Sequence, residues 1–199
     1  MAVWYLKRPG RRIQEAARRL WPGIALGLCV AAAYAAYNYV RFGNPLEFGH
    51  NYLPEFTRSQ HGQFSLEYLA KNAKRFLLGM PVYRTESGWE FEKFGSSVFL
   101  GNPMLMLLVI WYIMDIVRGR ANAARHLTMA AFAVHLFLLL LHRTGGGFQL
   151  GARYAIDLTP YALIYLTLRK EKQGTAWWEA LLLTVGFAFM AVGSTFVHI

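Results

Sequence analysis

Thr144-Gly145-Gly146-Gly147-Phe148-Gln149-Leu150-Gly151-Ala152-Arg153-Tyr154, running on through Asp157 to Pro160, separates two apolar runs at residues 127–141 and 158–168. A glycine-rich polar stretch between two hydrophobic ones reads as the connection between helices. Three consecutive glycines permit positive φ and let a ligand or a neighbouring helix come close to the backbone. Arg153 and Asp157 stand four residues apart, the spacing that brings two side chains onto one face of an α-helix, with Tyr154 beside Arg153. Ionisable residues this near a membrane-length apolar run are costly unless paired or wetted, which marks them as a candidate site. Two readings stay open. One is a tight turn whose Arg153–Asp157 ion pair ties two helices together; the other is a surface that touches a substrate.

The runs on either side set the class. Hydrophobic residues make up 55% of the chain and charged residues only 16%, too apolar a balance for an ordinary soluble domain. Spans are expected at about 21–40, 97–117, 127–142, 155–168 and 177–197. The chain is thus an all-α integral membrane protein of about five transmembrane helices, with 1–20 as a basic cytoplasmic tail and 21–199 as a single membrane domain. Trp21 and Pro22 open the first span, and Tyr34, Tyr37 and Tyr39 crowd its far end as an aromatic belt does. The alanines from Ala31 to Ala36 give it a small-residue face. The third run, 127–141, rises about 22 Å against a core of about 30 Å and has to borrow His126 and His142.

Residues 41–96 form a long, nearly neutral segment on the extracytoplasmic side. Within it Ser65 caps an amphipathic helix that runs to Gly79. Leu69, Ala73, Phe76 and Leu77 share one face, and Glu67, Lys71, Lys74 and Arg75 take the other; such a helix is expected to lie in the membrane interface. Residues 79–92 read as loop.

The net charge of +10 has no nucleic-acid motif beside it, and the positives flank apolar runs, where they act as an orientation signal. An N-terminus in the cytoplasm places Lys7–Arg19, Arg118–Arg125 and Arg169–Lys172 inside, and these short segments are denser in Lys and Arg than the outer ones. The lone Cys29 excludes an intrachain disulfide and a cysteine-based zinc site. The six histidines show no spacing suited to a metal. His135 reads as a polar contact between helices, and Asp115 and Glu179 as acids near cytoplasmic helix ends, satisfied by snorkelling or by basic neighbours. Glu47, hemmed by aromatic residues, is the acid to watch. Desolvation there would raise its pKa toward a base's range, while the plainer reading is a loop glutamate paired with Arg41.

The stretch GGFQLGARYAIDLTP (146–160) resembles the late-chain motif of large bacterial membrane glycosyltransferases that use polyprenyl-phosphate sugars, the C superfamily that includes protein O-mannosyltransferase-like enzymes. Residues 39–49, YVRFGNPLEFG, resemble another segment of the same proteins, and the resemblance covers roughly 21–168. It implies a protein of the bacterial inner membrane that takes a sugar from a polyprenyl-phosphate donor to an extracytoplasmic acceptor. Glu47, Arg143, Arg153, Tyr154 and Asp157 are then the candidate substrate or lipid-phosphate residues; the sequence offers no metal-ligand set, and whether the activity needs a metal stays open. Those enzymes carry catalytic acids in a loop after their first membrane helix, with many helices before the matched part. The chain therefore corresponds to their C-terminal portion and is expected to be incomplete for catalysis. Its partners would be the bilayer, the polyprenyl-phosphate lipid and either a missing N-terminal half or a full-length enzyme. The rival class is a non-enzymatic accessory or assembly subunit of a membrane complex. A transporter ranks behind both, because five short spans without a repeat make a poor alternating-access scaffold.

Overall fold

The computed structural model describes residues 13–147, 149, 151–169 and 174–197. The basic residues before Ile13, together with Phe148, Leu150, Lys170, Lys172 and His198, lie outside the described residues. Helix accounts for 68% of the chain and strand for 7%, so the chain is mostly helical with one sheet added. It divides into two compact units, Met1–Gln63 and Phe64–Ile199, where the sequence suggested a single domain over 21–199.

The first unit is built on helix α1, Ile13–Phe42. The basic segment runs straight into the apolar one, and Pro22 sits inside the helix without ending it. Gly43 stops α1 by taking φ +67 and returning its N–H to the Tyr39 carbonyl at 2.8 Å, a left-handed glycine C-cap. The chain then folds against the helix end. Phe42 stacks on Tyr52 at 5.3 Å, and Gly49, at φ +88, lies under the Phe42 ring. A short helix α2, Pro54–Thr57, follows.

The second unit holds the remaining elements: α3 (Leu69–Leu78), β1 (Val82–Thr85), β2 (Gly88–Phe91), α4 (Val98–Gly101), α5 (Pro103–Val117), α6 (Ala123–Leu141), α7 (Thr159–Leu168) and α8 (Trp177–Val197). Ser65 caps a 3-10 turn at Leu66–Tyr68 that leads into α3, its side chain accepting from the Glu67 N–H. The apolar face of α3 does not lie free for a membrane surface. Phe76 is buried, and Leu69, Ala73 and Leu77 pack with it onto the helix core. Residues 79–92 are not loop but end in an antiparallel hairpin, with Val82 opposite Phe91 and Arg84 opposite Trp89. Glu86 and Ser87 form its two-residue connection, and Gly88 takes φ +133.

The second apolar segment breaks at Asn102, where α4 ends and Pro103 starts α5; proline loses nothing in a first turn. Helix α6 begins four residues earlier than the apolar run because Asn122 accepts from the Ala124 and Arg125 N–H groups. Its 19 residues rise about 28 Å, which removes the expected shortfall. The fourth segment makes up its length differently, as six residues of 3-10 helix (Arg153–Leu158) feeding the ten of α7. Among the described residues, two helices are long and apolar enough, by length and composition, to cross a membrane: Arg18–Phe42 within α1, and α6.

Leu105, Leu107, Leu108, Leu158, Ala162 and Tyr165 form the centre of the second unit. His135 reaches Tyr161 across α6 and α7 with its Nδ1 3.3 Å from the hydroxyl. One end of the bundle is closed by a buried polar network. Asp115, 1% exposed, lies 3.4 Å from Arg125 Nη1 and 3.3 Å from Arg169 Nε, and accepts from the Tyr165 hydroxyl at 2.9 Å. Arg125 also donates to the carbonyls of Arg120 and Leu168. Arg169 lies over the Trp111 ring, and Trp111 Nε1 donates to Glu179, which in turn accepts from Ala176 N and so caps α8. The neighbours of Asp115 are therefore basic as expected, whereas Glu179 accepts from an indole and a backbone amide.

Candidate functional site

The other end of the bundle carries the glycine loop. Helix α6 runs out at Leu141, leaving carbonyls that its own backbone cannot satisfy. Asn72 on α3, 4% exposed, donates its Nδ2 to the carbonyls of Leu140 at 2.9 Å and His142 at 2.7 Å. Ser65 N takes the Leu141 carbonyl at 3.0 Å. The start of the loop is thus held by a second helix, not by the loop itself.

His142 is buried and turns its ring into the loop. Nδ1 lies 2.7 Å from the Thr144 carbonyl and 3.3 Å from the Thr144 N–H, bonding to one or the other according to its tautomer, and the ring meets Phe64 and Tyr154 edge-on at 5.0 and 5.4 Å. Close approach explains the glycines better than flexibility does. A Cβ on Gly145 would stand 2.2 Å from Phe76 Cζ, and one on Gly151 would stand 3.0 Å from Gly101 Cα. Gly146, at φ +116, lies beneath the Arg153 side chain, whose Nε would be 3.2 Å from an added Cβ. Gln149 stitches the loop from within: its N–H donates to the Lys93 carbonyl at 2.8 Å, and its Oε1 accepts from the Arg153 N–H. Ser96 N adds a bond to the Gly151 carbonyl at 2.7 Å.

Arg153 is exposed and carries its guanidinium 5.7 Å from the centre of the Tyr154 ring. No ion pair joins it to Asp157. The segment is 3-10 there, with three residues per turn, so residues four apart do not share a face as they would in an α-helix. Asp157 points out, exposed. Arg143 is half-buried, and its Nη1 is buried with no hydrogen-bond partner among the described residues. A cavity of about 20 Å³ lies under the loop, lined by Thr144, Gly145, Tyr154 and apolar side chains. That is room for about one water, so any ligand of this loop sits on its surface.

Glu47 belongs to the first unit and is described there. It is 8% exposed, and both its oxygens are engaged, Oε1 by the Gly49 N–H at 2.7 Å and Oε2 by the Asn51 amide at 2.6 Å. The Asn51 hydrogen bond, helped by backbone N–H groups and opposed by desolvation, holds its pKa below the usual carboxylate value. The direction is the reverse of what a general base needs. Arg41 does not pair with it; that guanidinium donates to the Tyr37 hydroxyl at 3.0 Å. Asn44, through the Leu46 N–H, and Asn38, through the Pro45 carbonyl, complete a self-bonded loop.

The glycine loop therefore brings Arg153 and Tyr154 together with His142, Thr144 and Gln149. The last three went unmarked in the sequence as site residues, because their roles depend on pairing across the loop. Among the described residues no group of three or more His, Cys, Asp or Glu is arranged to hold a metal. What the loop can do chemically is present a cation to an anionic group. Comparison of the chain with protein-family models, with curated proteins and with solved structures found no match.

Proposed function

We propose that this chain is a multi-pass membrane protein serving as the lipid-phosphate-binding part of a glycosyltransferase that uses polyprenyl-phosphate sugars, with the glycine loop as the phosphate contact. The observation that carries the reading is Arg153: an exposed guanidinium, laid over Gly146 and against Tyr154, with no carboxylate partner among the described residues. Guanidinium forks match phosphate oxygens and stay charged at an interface. The unsatisfied Nη1 of Arg143 at the other end of the loop supports a second anion contact. Two helices among the described residues, Arg18–Phe42 and α6, are long and apolar enough to cross a membrane, and the 3-10 and α portions of the fourth apolar segment together rise about 27 Å, close to a bilayer core. The sugar transfer itself rests on the resemblance at 146–160 and 39–49.

Binding of undecaprenyl phosphate to the purified chain in detergent tests the reading. Arg153→Ala is expected to weaken binding by at least about tenfold, and Arg153→Lys to recover part of it without the bidentate geometry. Asp157→Asn should change nothing. Unchanged affinity in a folded Arg153→Ala protein removes the phosphate site.

The second reading, an accessory subunit, is favoured by one observation. The 18-residue apolar window of α1 buries none of its residues within its own unit, as a helix does when something outside that unit covers it.

A further inference from the structure

Away from the glycine loop, the second unit holds a cleft of about 340 Å³ between the base of the hairpin, α4, the first turn of α5 and the middle of α8. Ligand sites occupy about 300–1,000 Å³. Every lining residue is apolar; Val82, Leu100, Pro103, Met106, Val185 and Gly186 are among them. Gly186 lies so close to Pro103 that a Cβ would stand 2.5 Å from the ring, which fixes α8 against α5 at one edge of the cleft. Val185 is 57% exposed and Leu100 37%, so the cleft opens outward.

Charge on the hairpin narrows what fits. Val82 and Arg84 are two apart on β1 and share a face, and their cross-strand partners are Phe91 and Trp89. The apolar wall at Val82 therefore continues into an exposed cation beside an exposed tryptophan. The hairpin's Glu90 is on the opposite face, tied to Tyr83 and Thr85, and does not neutralise Arg84. An apolar trough ending in arginine and tryptophan is complementary to an amphiphile with an anionic head, arginine attracting the phosphate and tryptophan favouring the headgroup level.

We propose that this cleft holds one acyl chain of an anionic phospholipid of the surrounding bilayer, with Arg84 at its phosphate. The proposal rests on the membrane reading above and is independent of the glycosyltransferase reading. Native mass spectrometry of the full chain, released from mixed micelles of phosphatidylglycerol and phosphatidylcholine, tests it. One phosphatidylglycerol per chain should be retained in preference to phosphatidylcholine by about tenfold. Val185→Trp, which fills the cleft from an exposed position, should abolish retention of either lipid. Arg84→Gln, a surface change that leaves the packing alone, should keep one lipid but lose the preference. Arg118→Gln, an exposed change past the far end of α5 from the cleft, should leave the preference intact. Equal retention of the two lipids by the unaltered chain, retention unaffected by Val185→Trp in a folded protein, or loss of the preference in Arg118→Gln would each overturn the proposal. So would displacement of the bound phosphatidylglycerol by an equimolar amount of undecaprenyl phosphate, which would assign the cleft to the polyprenyl chain instead.

Discussion

The side-chain amide of Asn72 donates 2.7 Å to the backbone carbonyl of His142 and 2.9 Å to that of Leu140. A helix read from its pattern as lying on a membrane is thus the cap of another helix, and the residue that opens the glycine loop hangs from it. Asn72→Leu should cost about 1–3 kcal/mol, the penalty for leaving buried carbonyls without donors. Asn72→Asp should cost more, because it aims a carboxylate at two carbonyl oxygens. Thermal unfolding of the purified protein reads both. Equal stability of Asn72→Asp and the unaltered chain would show that α3 is not holding the end of α6.

Much of this was legible in the sequence where a single local rule applied. Ser65 caps, Pro103 opens a helix and Trp177 begins the last one, each as its residue type dictates. The rest depended on choices that local rules do not make. Glu86-Ser87 lacks the Asn-Gly signature of a tight hairpin, so the alternation of Val82–Thr85 and Gly88–Phe91 was hidden among charged residues. Arg153 and Asp157 pair only if their segment is α-helical; in 3-10 geometry they diverge. Asn72 is an unremarkable polar residue on an amphipathic helix until the partner helix is in place. The glycines were visible as glycines, but the Phe76 ring that Gly145 makes room for lies on an element far earlier in the chain.

Asp115 sits between Arg125 and Arg169 at the far end of the bundle, all three buried. Removing one member of a buried ionic group strands the others, at about 3–5 kcal/mol. Asp115→Asn should therefore lower thermal stability by that amount, and Arg125→Met by at least as much, since it also strips donors from the Arg120 and Leu168 carbonyls. Arg118→Gln, an exposed change on the adjacent turn, should stay within about 0.5 kcal/mol. A tolerant Asp115→Asn would show that the ionic contacts of Asp115 do not hold this end of the bundle together.

Glu47 provides a pH-dependent element in the first unit. Its hydrogen bonds from Asn51 and from backbone N–H groups favour the carboxylate, so the folded pKa is depressed. A depressed carboxyl stabilises the loop fully above its unfolded value of about 4.3, and that contribution is lost as pH falls through the lower, folded value. The amide resonance of Gly49, which donates to Glu47 at 2.7 Å, should titrate with a midpoint below about 4.3 and lose the transition in Glu47→Gln. A midpoint above the ordinary value would reinstate Glu47 as a candidate base.

The buried network also sharpens the test of orientation. Two of the basic residues that weigh in the charge count, Arg125 and Arg169, are spent on Asp115 and are not free to face headgroups, so the bias toward a cytoplasmic N-terminus is weaker than the raw count. The same network, however, gathers the end of α5, the start of α6, the end of α7 and the start of α8 at one end of the second unit. Cysteines placed at Arg118 and Thr175, both exposed, must therefore label from the same side of a membrane. In a Cys29→Ala background, an impermeant thiol reagent added outside intact cells should label Ser87→Cys on the hairpin and spare Arg118→Cys and Thr175→Cys. Labelling of Arg118→Cys and Thr175→Cys with Ser87→Cys protected would invert the orientation but keep the bundle. Labelling of only one of that pair would break the bundle itself, because no single bilayer can pass between two loops whose helix ends share Asp115 and Glu179.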